Sequence, residues 1–181
     1  MVETSKTLAE RCAGIEMLVL DVDGVLTDGS IIYNDAGMEL KKFHVRDGSG
    51  LKVWHKLGKR AAIITGRSSR AVDIRAAELE IAPVIQGAAS KFRAYRQLLE
   101  QTGVHPDQVC AVGDDLADLP LLRNCGLAVA VADACGEAKA DAQHITRAAG
   151  GKGAVREVIE FILGCQGLWR PLIERLREQP E

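Results

Sequence analysis

Short apolar runs alternate along the chain with longer segments in which apolar residues recur every three or four positions. The short runs predict buried strands, and the longer segments predict amphipathic helices. The predicted strands are Met17–Val22, Arg60–Thr65, Ala82–Gln86, Val109–Gly113, Leu127–Val131 and Gln143–Thr146. The predicted helices are Gly48–Leu57, Ser68–Leu79, Lys91–Thr102, Leu116–Asn124, Cys135–Lys139, Ala154–Gly164 and Trp169–Glu178.

Strands that alternate with helices predict an α/β fold, in which helices flank a Rossmann-like parallel sheet. The length of 181 residues suits one domain, so residues 1–181 are expected to form a single unit. In open sheets of this kind, ligands bind beyond the carboxyl ends of the strands, near a topological switch point. Candidate chemistry is therefore expected in the residues that directly follow the predicted strands.

One segment departs from the alternation. The stretch SIIYNDAGMELKKFHV, residues Ser30–Val45, reads as two short strands around the turn Asn34–Gly37. It predicts a protruding β-hairpin flap at about residues 29–46. A lone two-stranded hairpin is marginal in water, so this one must pack against something.

Composition and charge narrow the class of protein. The hydrophobic share of 47% and the charged share of 27% are typical of a soluble globular protein. A net charge of −2 lacks the basic excess of proteins that bind nucleic acid or anionic membranes. No apolar run approaches the ~20 residues of a membrane span, and the charged stretch MVETSKTLAERCAG lacks a signal-peptide core. The five cysteines form no CxxC pair, which favours buried thiols and a cytoplasmic protein.

Two acids follow the first predicted strand, in the stretch LVLDVDGVLTDGSII. Side chains of an extended chain repeat every two residues, so Asp21 and Asp23 start on the same side. Gly24 allows the backbone to turn directly afterwards. Carboxylates placed together resist ionising, and this stretch offers them no partner. The partners must therefore come from elsewhere in the fold.

Two other strand ends can supply those partners. Thr65-Gly66-Arg67 ends one predicted strand, and Gly113-Asp114-Asp115 ends another. If the three strands are parallel neighbours, three carboxylates and one hydroxyl meet at one edge of the sheet. Carboxylates without interleaved histidines suit Mg²⁺ better than zinc, and Mg²⁺ usually shares its ligand shell with a substrate phosphate. The Thr65 hydroxyl and Lys91, which opens a predicted helix, are suitable phosphate donors.

The motifs DVDGVLTDG, IITGR, Lys91 and GDDLADLP resemble the four motifs of the haloacid dehalogenase superfamily of phosphotransferases. The resemblance covers about residues 15–165. It implies that Asp21 attacks phosphorus and forms an aspartyl-phosphate, while Asp23 acts as general acid and base. The roles it implies for the other residues are Mg²⁺ ligation by the Asp21 side chain, the Asp23 carbonyl and Asp114, phosphoryl binding by Thr65 and Lys91, and orientation of Lys91 or a metal-bound water by Asp118.

A narrower resemblance concerns the substrate. The stretches FHVRDGSGLK, TGR, QG and GGKGAVREV are similar to those of phosphatases for sugar-acid phosphates. This implies hydrolysis of an eight-carbon sugar-acid 8-phosphate, a lipopolysaccharide precursor; a nine-carbon sugar-acid 9-phosphate is the alternative, and Arg67 favours the former. Besides Asp23 and Lys91, the substrate contacts it implies are His44, Val45, Arg46, Asp47, Gly48, Lys52, Gly66, Arg67 and Arg75. Arginine recognises carboxylates well, whereas Lys52 stands where related enzymes carry arginine.

Two non-enzymatic classes share some of these features. Receiver-type signalling domains gather acids, a threonine and a lysine and are phosphorylated on aspartate, but their acceptor lies on a later strand than the paired acids. Here the Asp21-x-Asp23 pair follows the first predicted strand. A catalytically silent module attached to a synthetase is disfavoured by the intact Asp23. Turnover of a phosphate ester with Mg²⁺ distinguishes an enzyme from both.

The resemblance also bears on assembly. Related phosphatases often cover the site with a cap domain, but residues 24–64 hold only the hairpin and one helix, so no cap domain is expected. An aspartyl-phosphate needs shielding from water, and the hairpin needs a packing partner. A homotetramer whose hairpins pack together meets both needs. The Gly150–Gly153 loop and a tail helix at about residues 166–181 are candidates for reaching a neighbouring site, although the apolar stripe of that tail favours packing on a protein surface.

Overall fold

A computed structural model of the chain describes residues 6–178. Its strands are β1 Met17–Leu20, β2 Ile32–Tyr33, β3 Glu39–Leu40, β4 Arg60–Ile64, β5 Val84–Ile85, β6 Val109–Gly113, β7 Leu127–Ala130 and β8 His144–Ile145. Its α-helices are α1 Leu8–Ala13, α2 Val45–Lys56, α3 Arg70–Glu78, α4 Lys91–Thr102, α5 Leu119–Leu122, α6 Gly136–Asp141, α7 Ala154–Cys165 and α8 Trp169–Glu178. Single 3-10 turns lie at Pro106–Gln108 and Leu116–Asp118. The last three residues of the predicted tail lie outside the described residues.

The main sheet has six strands in the order β5-β4-β1-β6-β7-β8. Every pairing in it is parallel, and Leu20 of β1 stands opposite Ile63 of β4 and Val112 of β6. Chain order reverses around β1, because β4 lies on one side of it and β6 on the other. The carboxyl ends of these three strands are therefore neighbours at a topological switch point. The predicted α/β fold is confirmed.

The strands of the sheet centre are buried along their whole length. All four residues of β1 and of β7 are buried, without alternation of polar and apolar positions. Such uninterrupted apolar runs are typical of parallel strands covered on both faces. The flanking helices complete the core, with Trp54 of α2 and Ile159 of α7 both fully buried.

Most predicted elements agree with the structure to within two or three residues. Helix α1 was not predicted, the predicted helix Leu116–Asn124 is a 3-10 turn followed by the four residues of α5, and α2 begins at Val45 rather than at Gly48. Gly48 and Gly50 lie inside α2 although glycine weakens helices, and at both positions neighbouring side chains approach closely. A Cβ at Gly48 would lie 2.3 Å from Arg75 Nη2, and one at Gly50 would lie 3.2 Å from Ile159 Cδ1. Close helix packing therefore outweighs helix propensity here.

Strands β2 and β3 form the predicted hairpin, with Tyr33 opposite Glu39. Asn34 Oδ1 accepts hydrogen bonds from the N–H groups of Ala36 and Met38 at 3.1 and 2.9 Å, which fixes the turn. The hairpin is the most apolar exposed segment of the described chain. Its exposed side chains are Ile31 (55%), Ile32 (43%), Tyr33 (60%), Met38 (61%) and Leu40 (52%).

Between Asp23 and Thr65 the described chain forms only this hairpin, helix α2 and strand β4. That agrees with the expectation that no cap domain is inserted there. Among residues 6–178, no helix combines the length and apolar character that crossing a membrane requires.

Candidate active site

Three carboxylates meet at the carboxyl edge of the sheet. Oxygen atoms of Asp21, Asp114 and Asp118 lie within 4.8 Å of one another. Asp21 follows β1, Asp114 follows β6, and Asp118 ends the 3-10 turn beyond β6. Asp118 is held in place by its own loop, because its Oδ2 accepts a hydrogen bond from the Asp114 N–H at 3.1 Å. The three carboxylates are the acidic cluster of the site.

Two glycines make room for the acidic cluster. Gly24 has φ +94°, and a Cβ on it would lie 2.1 Å from Asp114 Oδ2. A Cβ on Gly113 would lie 2.5 Å from the Cβ of Asp118. Both positions therefore exclude any side chain, and at Gly24 the left-handed backbone favours glycine as well. The glycines of the DVDG and GDD motifs are explained by this crowding.

Lys91 supplies the positive charge of the site. It is the first residue of α4, and its Nζ lies 2.8 Å from Asp21 Oδ1 and 2.7 Å from Asp118 Oδ1. Burial lowers the pKa of Lys91, but the charges of Asp21 and Asp118 outweigh burial and raise it overall. Lys91 is therefore a buried, charged lysine that bridges two of the three carboxylates.

One lysine does not neutralise three acids. Burial, then the charge of Asp118, raises the pKa of Asp21 to about 6, against the opposing effect of Lys91. Burial, then the charges of Asp21 and Asp118, raises the pKa of Asp114 to about 8. Asp114 Oδ1 is buried and has no hydrogen-bond partner among the described residues. An all-oxygen cluster with excess negative charge and an unpartnered oxygen fits Mg²⁺.

Asp23 lies beside the acidic cluster and has different partners. Its Oδ1 accepts a hydrogen bond from Lys41 Nζ, and its Oδ2 lies 3.6 Å from Arg67 Nε. Sequence reasoning missed Lys41, whose side chain is only 1% exposed. The position of Lys41 next to β3 was the only sequence signal for a role at the site. That signal was weak because lysine is rarely buried.

The end of strand β4 also reaches the site. Thr65 is buried, and its backbone N–H donates to the Ile85 carbonyl at 3.0 Å. Gly66 and Arg67 follow in an exposed position, where Arg67 Nη2 donates to Glu39 Oε1 at 2.6 Å. Asp21, Asp23, Thr65 and Asp114 thus lie at the ends of neighbouring strands, and Lys91 and Asp118 join them from α4 and from the 3-10 turn beyond β6.

A second cluster comprises His44, Asp47, Gly48 and Arg75, which line one narrow cavity together with apolar side chains such as Leu26 and Leu79. Asp47 Oδ1 accepts a hydrogen bond from the Arg156 N–H at 2.8 Å, so this carboxylate caps the first turn of α7. Burial raises the pKa of Asp47 despite that bond. Three buried polar atoms of the second cluster have no hydrogen-bond partner among the described residues: His44 Nδ1, Asp47 Oδ2 and Arg75 Nε.

The remaining predicted substrate contacts lie elsewhere on the surface. Val45 is 74% exposed, and Arg46 lines a groove with Lys152 and Arg156. Lys52 lines another groove, with Glu78. No hydrogen bond or ion pair of the described residues joins Arg46, Lys52 or the second cluster to the acidic cluster. The substrate contacts predicted for these residues stay a prediction.

Two segments expected to reach a neighbouring site contact their own chain. A Cβ on Gly150 would lie 1.7 Å from the Gly24 carbonyl oxygen, and the Gly151 N–H donates to the Val25 carbonyl at 2.9 Å. These two glycines support the loop that follows β1 in their own chain, and a contact of the Gly150–Gly153 loop with a neighbouring copy stays a prediction. In α8, the Trp169 ring lies 5.0 Å from the Arg156 guanidinium of its own chain, whereas Leu176 at the other end of the apolar stripe is 55% exposed.

The parallel sheet, the paired acids after its central strand, and the threonine, lysine and acids at the neighbouring ends define a haloacid dehalogenase-like hydrolase. A sequence model of that family, described as haloacid dehalogenase-like hydrolase, matches residues 77–159. The 3-deoxy-D-manno-octulosonate 8-phosphate phosphatase KdsC of Escherichia coli K12 is 45% identical over 163 residues, which cover 90% of this chain and 87% of that protein. The chain belongs to the haloacid dehalogenase-like hydrolase family.

Solved structures of similar proteins carry related names. The 3-deoxy-D-manno-octulosonate 8-phosphate phosphatase from Moraxella catarrhalis, in complex with magnesium ion, phosphate ion and a KDO molecule, has a TM-score of 0.90 and 42% identity, covering 93% of this chain and 97% of that one. The cobalt-bound deoxy-D-mannose-octulosonate 8-phosphate phosphatase (YrbI) of Haemophilus influenzae has a TM-score of 0.85 and 40% identity, covering 88% and 93%.

Proposed function

We propose that this protein is a magnesium-dependent phosphatase that hydrolyses 3-deoxy-D-manno-octulosonate 8-phosphate to 3-deoxy-D-manno-octulosonate and phosphate. The observation that carries the proposal is the bridge of Lys91 between Asp21 and Asp118, 2.8 and 2.7 Å long. It sets a buried cation against the carboxylate that follows the central strand, where a phosphoryl group needs both a nucleophile and a countercharge. Relatives that are 45% identical over 90% of the chain bear the name of this activity.

The chemistry proceeds through two displacements at phosphorus. An oxygen of Asp21 forms a bond to phosphorus while the bond from phosphorus to the sugar oxygen breaks, which gives an aspartyl-phosphate. Asp23 protonates the departing sugar oxygen as a general acid. It then removes a proton from the water that attacks the aspartyl-phosphate, which releases phosphate and regenerates the Asp21 carboxylate. Asp21 and Asp23 are thus the nucleophile and the acid–base residue.

Mg²⁺ would be held by the side chains of Asp21 and Asp114 and by the Asp23 carbonyl. When bound, it supplies positive charge that neutralises the phosphoryl oxygens. Both oxygens of Asp118 are engaged otherwise, because Oδ1 accepts from Lys91 at 2.7 Å and Oδ2 from the Asp114 N–H at 3.1 Å. We therefore assign Asp118 to the orientation of Lys91.

Thr65 and Lys91 bind the transferring phosphoryl group. Thr65 is buried at the end of β4, next to the strand that carries Asp21. Its hydroxyl and the Lys91 ammonium donate to phosphoryl oxygens, and preorganised donors of this kind supply much of the rate enhancement in phosphoryl transfer.

The sugar acid needs cations for its carboxylate. Arg67 stands beside Asp23 with a side chain 43% exposed, so its guanidinium can reach a ligand. His44, Val45, Arg46, Asp47, Gly48, Lys52, Gly66 and Arg75 complete the proposed substrate contacts.

We also propose that the protein is a homotetramer in which hairpins pack together and shield neighbouring sites. Five apolar side chains of the hairpin are between 43% and 61% exposed in one copy. Contiguous exposed apolar surface of this kind marks an interaction site, and a lone two-stranded hairpin is marginal in water. Mutual packing of hairpins buries these side chains and supplies the missing cover.

The proposed place of the reaction is the cytoplasm, in the formation of a lipopolysaccharide precursor. All five cysteines are free, which suits a reducing compartment. The net charge of −2 supports a small-molecule partner rather than nucleic acid or an anionic membrane.

The proposal is tested by steady-state turnover of a panel of sugar-acid phosphates with Mg²⁺. We expect the highest kcat/KM for 3-deoxy-D-manno-octulosonate 8-phosphate. A higher value for a nine-carbon sugar-acid 9-phosphate would replace the substrate assignment. Stable phosphorylation of Asp21 without turnover of any ester would contradict the phosphatase and favour a signalling module.

A further inference from the structure

The hairpin carries one buried charged side chain. The Lys41 side chain is 1% exposed, whereas that of its neighbour Lys42 is 62% exposed. Leu40, on the other side, is 52% exposed. Lysine is almost never fully buried unless it is paired. The burial of Lys41, in a segment that otherwise exposes apolar groups, therefore needs a specific partner.

Lys41 is paired within a ring of four side chains whose charges alternate in sign. Lys41 Nζ donates a hydrogen bond to Asp23 Oδ1 and lies 3.5 Å from Glu39 Oε1. The same Glu39 oxygen accepts from Arg67 Nη2 at 2.6 Å. Arg67 Nε closes the ring at 3.6 Å from Asp23 Oδ2. The hairpin contributes Lys41 and Glu39, and the strand ends of the active site contribute Asp23 and Arg67.

Within this ring, Lys41 is the closest side-chain partner of Asp23. The contact to Arg67 is too long for a hydrogen bond, and Asp23 Oδ2 is buried without a hydrogen-bond partner among the described residues. Lys41 therefore fixes the direction of the Asp23 carboxylate. An acid–base residue must lie within hydrogen-bond reach of the atom it protonates, and misplacement by ~1 Å can cost ~10²-fold in rate.

We propose that Lys41 is a positioning residue that aims Asp23 at the oxygen it protonates, so that docking of the hairpin sets up the acid–base step. The inference rests on the proposed function, in which Asp23 is the acid–base residue. Lys41 touches no reacting atom and acts through Asp23. The acid–base step of Asp23 therefore depends on the hairpin, which lies outside the main sheet.

A purely structural role for Lys41 would give a different result from a positioning role. A sugar alkoxide is a poor leaving group that needs the proton from Asp23, whereas a strongly acidic phenol departs from an aryl phosphate as a stable anion. Loss of positioning therefore slows transfer from the sugar phosphate selectively. Loss of folding slows both transfers equally, and sedimentation velocity of each variant separates loss of assembly from loss of positioning.

The experiment measures the first displacement in a single turnover of the magnesium-loaded enzyme. Its rate is read from the release of the sugar or of the phenol. For Lys41→Met we expect a loss of ~10²-fold with 3-deoxy-D-manno-octulosonate 8-phosphate and little change with 4-nitrophenyl phosphate. Lys41→Arg keeps the charge and is expected to retain more activity than Lys41→Met. Lys42→Met is the matched control, because Lys42 pairs with Asp28 at 2.7 Å on the surface, and it should behave as the wild type.

Equal losses with both esters, or no loss with the sugar phosphate, would overturn the positioning role. If Lys41→Met does not fold, Lys41→Gln, which removes the charge but keeps a donor, carries the same comparison. Failure of the proposed function has a separate signature, since the wild type itself would then not release the sugar.

Discussion

Gly24 faces Asp114 so closely that a Cβ atom on the glycine would lie 2.1 Å from Asp114 Oδ2. The backbone of Gly24 also has φ +94°, which L side chains rarely adopt. A residue with no apparent chemistry thus fixes the position of a carboxylate on a different strand. This relationship explains why glycine follows the paired acids.

Substitution of Gly24 should therefore disable the site. We expect Gly24→Ala to lower kcat by ~10²-fold or more, because displacement of a reacting group by ~1 Å costs about that much, and to weaken Mg²⁺ binding measured by calorimetry. Gly58→Ala is the matched control, since Gly58 has φ +77° and open space around its Cβ position. Similar losses in the two variants would assign the effect to backbone strain rather than to Asp114.

The paired acids should respond differently to removal of their charge. We expect Asp21→Asn to abolish turnover, because no nucleophile remains, and Asp23→Asn to slow it by ~10²–10⁴-fold. Circular dichroism should show both variants folded. Asp115→Asn, an exposed neighbour of the acidic cluster, should keep wild-type rates. Near wild-type activity of either Asp21→Asn or Asp23→Asn would contradict the proposed roles of nucleophile and acid–base residue.

Metal removal should abolish activity reversibly. Excess EDTA is expected to stop turnover, and Mg²⁺ should restore it better than Ca²⁺, whose looser coordination suits in-line transfer poorly. Full turnover in excess chelator would rule out the assigned role of Asp114.

The metal-free protein should lose stability as pH rises. The pKa of Asp21 is raised to about 6 and that of Asp114 to about 8, above the ~3.9 of an unfolded aspartate. Between about pH 4 and pH 8 the folded state therefore holds protons that the unfolded chain has released, so raising the pH favours unfolding. The Asp114→Asn variant keeps Asp118 and Lys91, which lie in the same cluster, but removes the carboxyl group whose pKa is raised to about 8. Its free energy of unfolding should therefore depend less on pH.

Urea unfolding of wild type and Asp114→Asn at pH 5.5 and 8, with and without Mg²⁺, checks this expectation. Mg²⁺ should stabilise the wild type most at the higher pH, where fewer protons compete for the carboxylates. A metal-free wild type that gains stability relative to Asp114→Asn as pH rises would show that the pKa of Asp114 is not raised.

Assembly should depend on the hairpin. Deletion of residues 30–45 is expected to give monomers with little activity on the sugar phosphate, and Tyr33→Lys should weaken the tetramer by placing a charge in the apolar contact. Ile145→Lys, which alters an apolar side chain 45% exposed on β8, is the control. Sedimentation velocity distinguishes the states. A wild type that sediments as a fully active monomer would refute the assembly.

The sequence predicted the sheet and most of the acidic cluster because both depend on local patterns. Uninterrupted apolar runs identify buried parallel strands, and acids placed directly after them must meet if those strands are neighbours. Asp21 and Asp114 therefore lie together as expected, whereas the third place in the acidic cluster, which the strand-end pattern predicted for Asp23, belongs to Asp118, a residue assigned through the family resemblance.

The partners of Asp23 and Asp47 could not be predicted in this way. Lys41 is a lysine in an exposed hairpin, and burial of such a residue follows only from the tertiary contact with Asp23. Asp47 bonds Arg156, 109 positions away in the chain, so its capping of α7 has no local sequence signal.

The strand order has a consequence for how such a protein can change. The reacting groups stand at the ends of parallel strands in one buried sheet, whereas the two hairpin strands pair only with each other. Apart from Glu39 and Lys41, its side chains can therefore be exchanged without altering the register of the main sheet. Substitutions in the hairpin can alter how copies of the chain associate while the carboxylates at the strand ends keep their places.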